Sequence, residues 1–343
     1  MEAVSCERKL ATIRRALEVS PIPGADSIQA VTIDGWVCVA KKDEFRPGDK
    51  GVYFEIDSFL PASDTRFSFL SKQFIAFNNF LGARLRTIRL RGQLSQGLFL
   101  PISLFPELEG KDLGDDVTKE LNIIKWEPPG ALADAGNMPS GNFPSFICKT
   151  DQPRVQNLLR ELEENAGKEF EVTIKLDGCS MTVYRKDDKK GVCSRNIELK
   201  EGGGNYWKVA EQAGLLEALE FLKRNLAFQG ELLGEGIQGN NERLKVQEFY
   251  LFDIFDIDKQ KYLGPNERKE ILKMLEDNGL KIKHVPILDN LVLKHTVKEL
   301  VEMADGFSLN PKQKREGLVF KRLDGLFSFK AISNAYLEKN KDR

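Results

Sequence analysis

The chain has 343 residues, with 51 Lys and Arg against 52 Asp and Glu and a formal net charge of −1. That length exceeds a single core and predicts two domains. The balanced charge excludes a generally cationic nucleic-acid binder, so any phosphate-binding surface has to be local. No apolar run reaches membrane-spanning length and charges interrupt Met1 to Leu10, so the expectation is a soluble, cytoplasmic protein. The five cysteines (Cys6, Cys38, Cys148, Cys179, Cys193) never form C-x-x-C, which argues against a disulfide framework or a structural zinc site. His284 and His295 lie far from any Ser or Cys motif, which argues against a histidine-based triad.

In chain order, short strands are predicted over residues 28–33, 35–41, 50–56, 84–91 and 97–101, punctuated by Asp34-Gly35, Arg46-Pro47-Gly48-Asp49 and Arg91-Gly92. Five short strands without a long helix predict an OB-like barrel over 1–125. Within it, Arg84, Arg86, Arg89 and Arg91 form the densest local basic cluster. On pattern alone the cluster reads as the solvated face of a strand. Residues 126–146 carry Pro128-Pro129-Gly130, Gly136, Pro139, Gly141 and Pro144 with little apolar periodicity, the composition of a linker or ordered loop.

The second domain, 147–343, opens at Thr150-Asp151-Gln152-Pro153, a helix start followed by the stripe Val155, Leu158, Leu159 and Leu162. Paired strands follow over 170–175 and 181–186, then a helix over 206–225 and buried strands over 227–233 and 248–255. A helix over 265–278 stops at Gly279, Thr296 and Glu299 form a capping box, and closing strands run over 317–323 and 326–332. Mixed antiparallel sheet with flanking helices gives an α+β class.

Between the first paired strands lies Lys175-Leu176-Asp177-Gly178, which fits K-x-D-G, a pattern in which a lysine attacks the α-phosphate of a nucleoside triphosphate and keeps the nucleotide covalently. Downstream, in order, come Ser194-Arg195-Asn196, Gly230-Glu231-Leu232-Leu233-Gly234, Tyr250-Leu251-Phe252-Asp253-Ile254, Glu316-Gly317-Leu318-Val319-Phe320-Lys321 and Ser328-Phe329-Lys330. An amine attacks only when neutral, whereas free lysine has a pKa of about 10.4. The site is therefore expected to lower the Lys175 pKa through Lys321, Lys330, a bound metal and partial burial. Arg195, Lys321 and Lys330 suit the charge that develops on the phosphates. Asp177, Glu231 and Glu316 suit Mg²⁺ or Mn²⁺, which prefer oxygen ligands and keep waters. Gly234-Glu235-Gly236-Ile237-Gln238-Gly239 matches a dinucleotide-binding pattern, but Asn240-Asn241-Glu242-Arg243 leads into a further strand-like run where that pattern needs a helix, so NAD binding is rejected.

The ordered series resembles the motif set of the covalent nucleotidyltransferase superfamily, which includes ATP-dependent ligases and RNA capping enzymes. Over nearly its whole length the chain is most similar to ATP-dependent RNA ligases of the Deinococcus type, in which an OB domain precedes a nucleotidyltransferase domain of ATP-grasp-like adenylation fold. The likeness includes the barrel stretch from Leu85 to Gly97 and Lys149-Thr150-Asp151-Gln152-Pro153-Arg154. The resemblance implies that Lys175 is adenylated, that Arg195 and Glu231 engage the ribose, that Phe252 stacks on adenine and that Ile174 offers backbone contacts to the base. It implies that Lys149 and Arg154 hold the outer phosphates of ATP, that Lys330 touches the α-phosphate, and that Glu316, with Asp177 and Glu231, orients metal waters. Its implied partner is RNA with 3′-OH and 5′-phosphate ends at a duplex nick, acted on by a monomer, with the barrel arginines as RNA contacts. Related ligases often carry a second lysine in the last motif where this chain has Ile332. A GTP-dependent capping guanylyltransferase is disfavoured because only thirteen residues follow Lys330, too few for a C-terminal barrel. A non-catalytic RNA-binding protein of the same fold is disfavoured because Lys175, Glu231, Glu316 and Lys330 are all present.

Overall fold

The computed structural model describes residues 8–127, 136–202 and 204–340, so Cys6, Pro128-Pro129-Gly130 and Gly203 lie outside the described residues. By contact the chain divides into two units: Glu7–Pro129 with Val155–Arg160 and Leu337–Arg343, and Met1–Cys6 with Gly130–Arg154 and Glu161–Tyr336.

The first unit is built on β1 (Ala11–Arg15), β2 (Glu18–Pro21), β3 (Ile28–Ile33), β4 (Trp36–Lys41), β5 (Lys50–Phe54), β6 (Ser58–Pro61), β7 (Ile75–Phe77), β8 (Phe80–Arg84), β9 (Thr87–Leu90), β10 (Gln93–Gln96), β11 (Leu98–Pro101) and β12 (Ile124–Lys125). They pair in the orders β1-β5-β11, β2-β3-β4, β12-β6-β8-β7 and β9-β10. Successive side chains of a strand point to opposite faces. In β5 both faces are buried, with Val52 and Phe54 packing among Leu60, Phe67 and Phe105 and Tyr53 packing among Trp36, Cys38 and Phe99.

The strand expected over 84–91 is two strands. Arg84 turns inward, pairs with Asp57 at 2.8 Å and stacks 3.5 Å from the Trp126 ring. The chain then leaves β8 and forms the β9–β10 hairpin, whose two-residue turn is Arg91-Gly92, both at positive φ. The sequence pattern also passed over β1, β2, β6 and a 3-10 helix over Thr65–Gln73.

The second unit contains β13 (Pro139–Asn142), β14 (Glu169–Lys175), β15 (Cys179–Lys186), β16 (Lys189–Cys193), β17 (Ile197–Leu199), β18 (Leu226–Leu233), β19 (Glu248–Asp256), β20 (Lys261–Tyr262), β21 (Ile287–Val292), β22 (Gly317–Arg322) and β23 (Ser328–Ile332). Seven strands form one sheet in the order β13-β17-β16-β15-β18-β19-β20, and four form another in the order β21-β14-β22-β23. All named pairings are antiparallel. The strands flanking K-x-D-G are therefore not partners of each other: β14 pairs with β21 and β22, β15 with β16 and β18. The motif carries the chain from one sheet to the other.

Among the described residues the α-helices are α1 (Leu159–Glu164), α2 (Gly204–Gln212), α3 (Leu215–Leu222), α4 (Pro265–Asp277), α5 (Val297–Met303) and α6 (Asn334–Lys339). The helix expected from Val155 begins only at Leu159, after a 3-10 turn over Val155–Asn157. The cause is upstream, where Arg154 bridges in parallel to Lys330 and the Lys330 N–H donates to Pro153 O, which holds the backbone extended. The single helix expected over 206–225 is α2 and α3, broken at Gly214, whose φ of 66° is the left-handed conformation glycine adopts freely. Pro265 opens α4, Gly279 follows it at φ 82°, and the Thr296–Glu299 capping box opens α5.

Candidate active site

Lys175 ends β14 and pairs in register with Gly317 of β22. The next residue, Leu176, is buried with Ile174, Leu233 and Val285, which anchors the crossing between the sheets. Gly178 then lies against β18. A Cβ there would sit 2.3 Å from Leu232 O, while its N–H donates to Glu231 Oε1 at 3.0 Å. Asp177 accepts from the Asn241 amide. The motif thus brings its lysine to carboxylates on β18, at the start of β22 and in its own turn.

Lys175 Nζ is 2.6 Å from Glu316 Oε2. Burial alone pushes the Lys175 pKa down, but Glu316, Glu231 and Asp177 outweigh it and hold the amine above the usual lysine range. Burial thus acts in the expected direction, but Lys321 and Lys330 are not among the leading influences on this amine. Glu231 is pushed up to about 7, first by burial and then by Glu316, against the pull of Lys175. Glu316 is likewise raised by burial, with Lys175 opposing. The amine thus bonds Glu316, with Glu231 and Asp177 favouring its charged form through space. Among the described residues no group of three or more His, Cys, Asp or Glu side chains has direct metal-ligand geometry. Three clustered carboxylates suit a divalent cation that keeps its waters.

A second cluster brings together Asp151, Lys330 and Arg195. Asp151 links Lys330 Nζ at 2.8 Å through Oδ1 and Arg195 Nη2 at 3.2 Å through Oδ2. Lys149 Nζ donates to Asn196 Oδ1 at 3.1 Å, and Arg154 is buried next to the Lys330 backbone. Lys149, Thr150, Asp151, Asp253, Lys321 and Ser328 help to line a cavity of about 180 Å³. Asp151 was missed by the sequence reading, although it sits between the two cations that were singled out from its segment.

Phe252, on β19, packs with the Ile174 cluster and is half-buried. Ile174 is itself buried and its N–H is committed to Pro286 O at 3.0 Å. Lys321, expected at the phosphates, is 5% exposed. Its Nζ donates to Phe252 O at 2.5 Å and Asp253 Oδ1 at 2.7 Å, so it braces Phe252. Arg268 of α4 also donates to Phe252 O, at 3.3 Å, and pairs with fully buried Glu171. Arg268 was legible in principle, because Pro265, Arg268, Ile271 and Leu275 form one buried helical stripe with a cation in it.

In the barrel unit the four arginines separate. Arg84 is taken up by Asp57 and Trp126 as described. Arg86 is half-buried, Arg89 pairs with Glu338, and Arg91 is exposed at the β9–β10 turn.

A barrel of this strand order, preceding in sequence a two-sheet domain that holds a lysine among acids at the sheet crossing, defines the class: a polynucleotide ligase with a nucleotidyltransferase core. Comparison with known proteins narrows it. A family model described as an OB-fold domain matches residues 10–102, and the RNA ligase family model matches residues 168–332. A structure of the Naegleria gruberi RNA ligase with PPi is 61% identical, with TM-score 0.95, covering 98% of this chain and 100% of that one. A variant of the same ligase with AMP and Mn gives the same identity, TM-score and coverage. Another variant, with ATP and Mn, is 61% identical with TM-score 0.94, covering 98% and 100%. No match was found among curated proteins. The chain belongs to the RNA ligase family and is an enzyme. No helix among the described residues is long and apolar enough to cross a membrane.

Proposed function

We propose that this chain is an ATP- and divalent-metal-dependent RNA ligase that seals 3′-OH/5′-phosphate nicks in duplexes, acting in the cytoplasm as a monomer in RNA repair. The observation that carries the reading is Lys175 within 2.6 Å of Glu316 at the sheet crossing, with Glu231 and Asp177 acting on the same amine.

In the first step Lys175 Nζ attacks the α-phosphate of ATP, forming a P–N bond as the P–O bond to pyrophosphate breaks. Lys330 stabilises the α-phosphate, Lys149 and Arg154 hold the outer phosphates, Arg195 and Glu231 engage the ribose, Phe252 stacks on adenine, and Ile174 offers backbone contacts to the base. A divalent cation held through water by Asp177, Glu231 and Glu316 would offset their charge and weaken their hold on the Lys175 proton. The AMP then passes to the RNA 5′-phosphate, and the 3′-OH displaces it to form the phosphodiester. Of the four clustered barrel arginines, exposed Arg89 and Arg91, with half-buried Arg86, are RNA contacts. The bound Mn, ATP and AMP in the Naegleria gruberi structures support the cofactor assignments.

The test is incubation with labelled ATP or labelled GTP, with Mg²⁺, Mn²⁺ or chelator. Covalent label from ATP alone, lost in chelator and lost in Lys175→Ala, is the expected result. Label from GTP alone, or none from either nucleotide with metal present, overturns the proposal.

A further inference from the structure

Between α5 and β22 the chain makes a small hairpin that the sequence motifs did not absorb. Phe307 and Lys314 bridge antiparallel, Ser308 N donates to Gln313 O at 3.0 Å, and Gln313 N donates to Asn310 O at 2.9 Å. Cross-strand partners share a face. Lys314 Nζ accordingly lies 4.9 Å from the centre of the Phe307 ring. Phe307 is 56% exposed, Lys314 is exposed beside it, and Lys312 is exposed in the turn.

The hairpin is held firmly. Leu309 packs on the cluster of Ile174, Leu176 and Phe252. Glu242, only 7% exposed, accepts from Ser308 Oγ and from Asn310 N at 2.8 Å. At its base Arg315 donates to Met303 O at 2.7 Å, Asp305 O at 2.9 Å and Ala304 O at 3.0 Å, closing the end of α5. The neighbour of Glu242 is Asn241, which holds Asp177 of the nucleophile motif.

A single exposed aromatic is ordinary on a protein surface, and Phe69 and Phe80 are as exposed as Phe307; what sets Phe307 apart is its firmly held hairpin and the lysine over its ring. Here the stretch Phe307 to Lys314 carries two lysines and no acidic residue, so the complement is anionic as well as flat. The hairpin also sits at the reaction centre: Gly317 pairs with Lys175, and Lys314 is three residues before it. Those three residues span at most about 11 Å, roughly three base-pair rises. We propose that this hairpin is an RNA-contacting platform of the catalytic domain, in which Phe307 stacks on a base near the junction while Lys312 and Lys314 meet adjacent phosphates. The proposal rests on the RNA-ligase reading.

The experiment uses the full chain with Phe307→Leu, Phe307→Trp and the double substitution Lys312→Gln/Lys314→Gln. It measures label transfer from ATP without RNA, and binding and sealing of nicked RNA across a salt series. All three variants are expected to accept AMP as the unaltered chain does. Phe307→Leu should raise the Kd for nicked RNA about 10-fold, and Phe307→Trp should restore it, because stacking needs a ring rather than apolar surface. The double variant should flatten the slope of log K against log salt by about 1.5, the loss of two phosphate contacts. RNA affinity in Phe307→Leu equal to that of the unaltered chain, or an unchanged salt slope in the double variant, overturns the proposal. Failure of the unaltered chain to take AMP from ATP would instead overturn the ligase reading.

Discussion

Replacing Arg268 by Met tests how the active site is braced from beneath. Arg268 and Glu171 are both fully buried and paired, and the Lys269 ammonium forms an ion pair with the other Glu171 oxygen at 2.9 Å. Removing one partner of a buried pair costs about 3–5 kcal/mol, because it strands the other charge away from water. Lys269 still neutralises part of Glu171, so the lower end, about 3 kcal/mol, is expected. For a domain of this size that corresponds to a fall in Tm of about 6–12 °C, measurable by calorimetry. Arg268→Met/Glu171→Leu removes both charges and should recover most of the loss, because apolar replacement of a whole buried pair is near neutral. Function should not follow stability. Both variants lack the Arg268 donor to Phe252 O, leaving Lys321 alone on that carbonyl. KM for ATP in the adenylation step should therefore rise in both. A double variant as unstable as the single one, or with the KM of the unaltered chain, refutes the reasoning.

The sequence showed the motif residues but not how the motif connects them. K-x-D-G between two strand-like runs suggests a hairpin, because adjacent strands usually pair. Here the turn hands the chain between sheets, and Gly178 needs its missing side chain to lie against Leu232 O, a constraint from β18 some fifty residues away. The surroundings of Lys175 were hard to read for a similar reason. The cations named beside it in the motif list are spent elsewhere, Lys321 on Asp253 and Lys330 on Asp151, while the acids come closest. Local patterns carried the β3–β4 hairpin, α4 and the α5 capping box, since turn residues and caps act over a few positions. What alternation could not reveal was that Arg84 turns inward onto Trp126 while Arg91 stays exposed, because both occupy the same basic stretch and only a distant ring separates their roles.

Three further outcomes test the assignment. Lys175→Ala should take no label from ATP yet retain some sealing of RNA that already carries a 5′-adenylate, since the last step needs no covalent enzyme; undiminished label would refute its role as nucleophile. His284 is depressed from 6.5 to about 3, first by burial and then by Arg268. Below about pH 6.5 the unfolded chain gains a proton that the folded chain refuses, so stability falls with decreasing pH by up to about 1.4 kcal/mol per unit, until the pH nears 3. His284→Gln should flatten that decline in denaturant titrations, and an unchanged slope would count against it. Gly178→Ala places a methyl 2.3 Å from Leu232 O and 2.5 Å from Leu233 Cδ2. Neither backbone oxygen nor core leucine yields cheaply, so the turn moves outward and pulls its N–H from Glu231. Such overpacking costs about 1–3 kcal/mol. A displacement of about 1 Å at the nucleophile can cost on the order of 100-fold in rate. Adenylation should therefore fall by far more than the melting temperature suggests, as single-turnover label transfer would measure. A variant that takes AMP within two-fold of the unaltered rate would show that the contact between Gly178 and β18 does not set the position of Lys175.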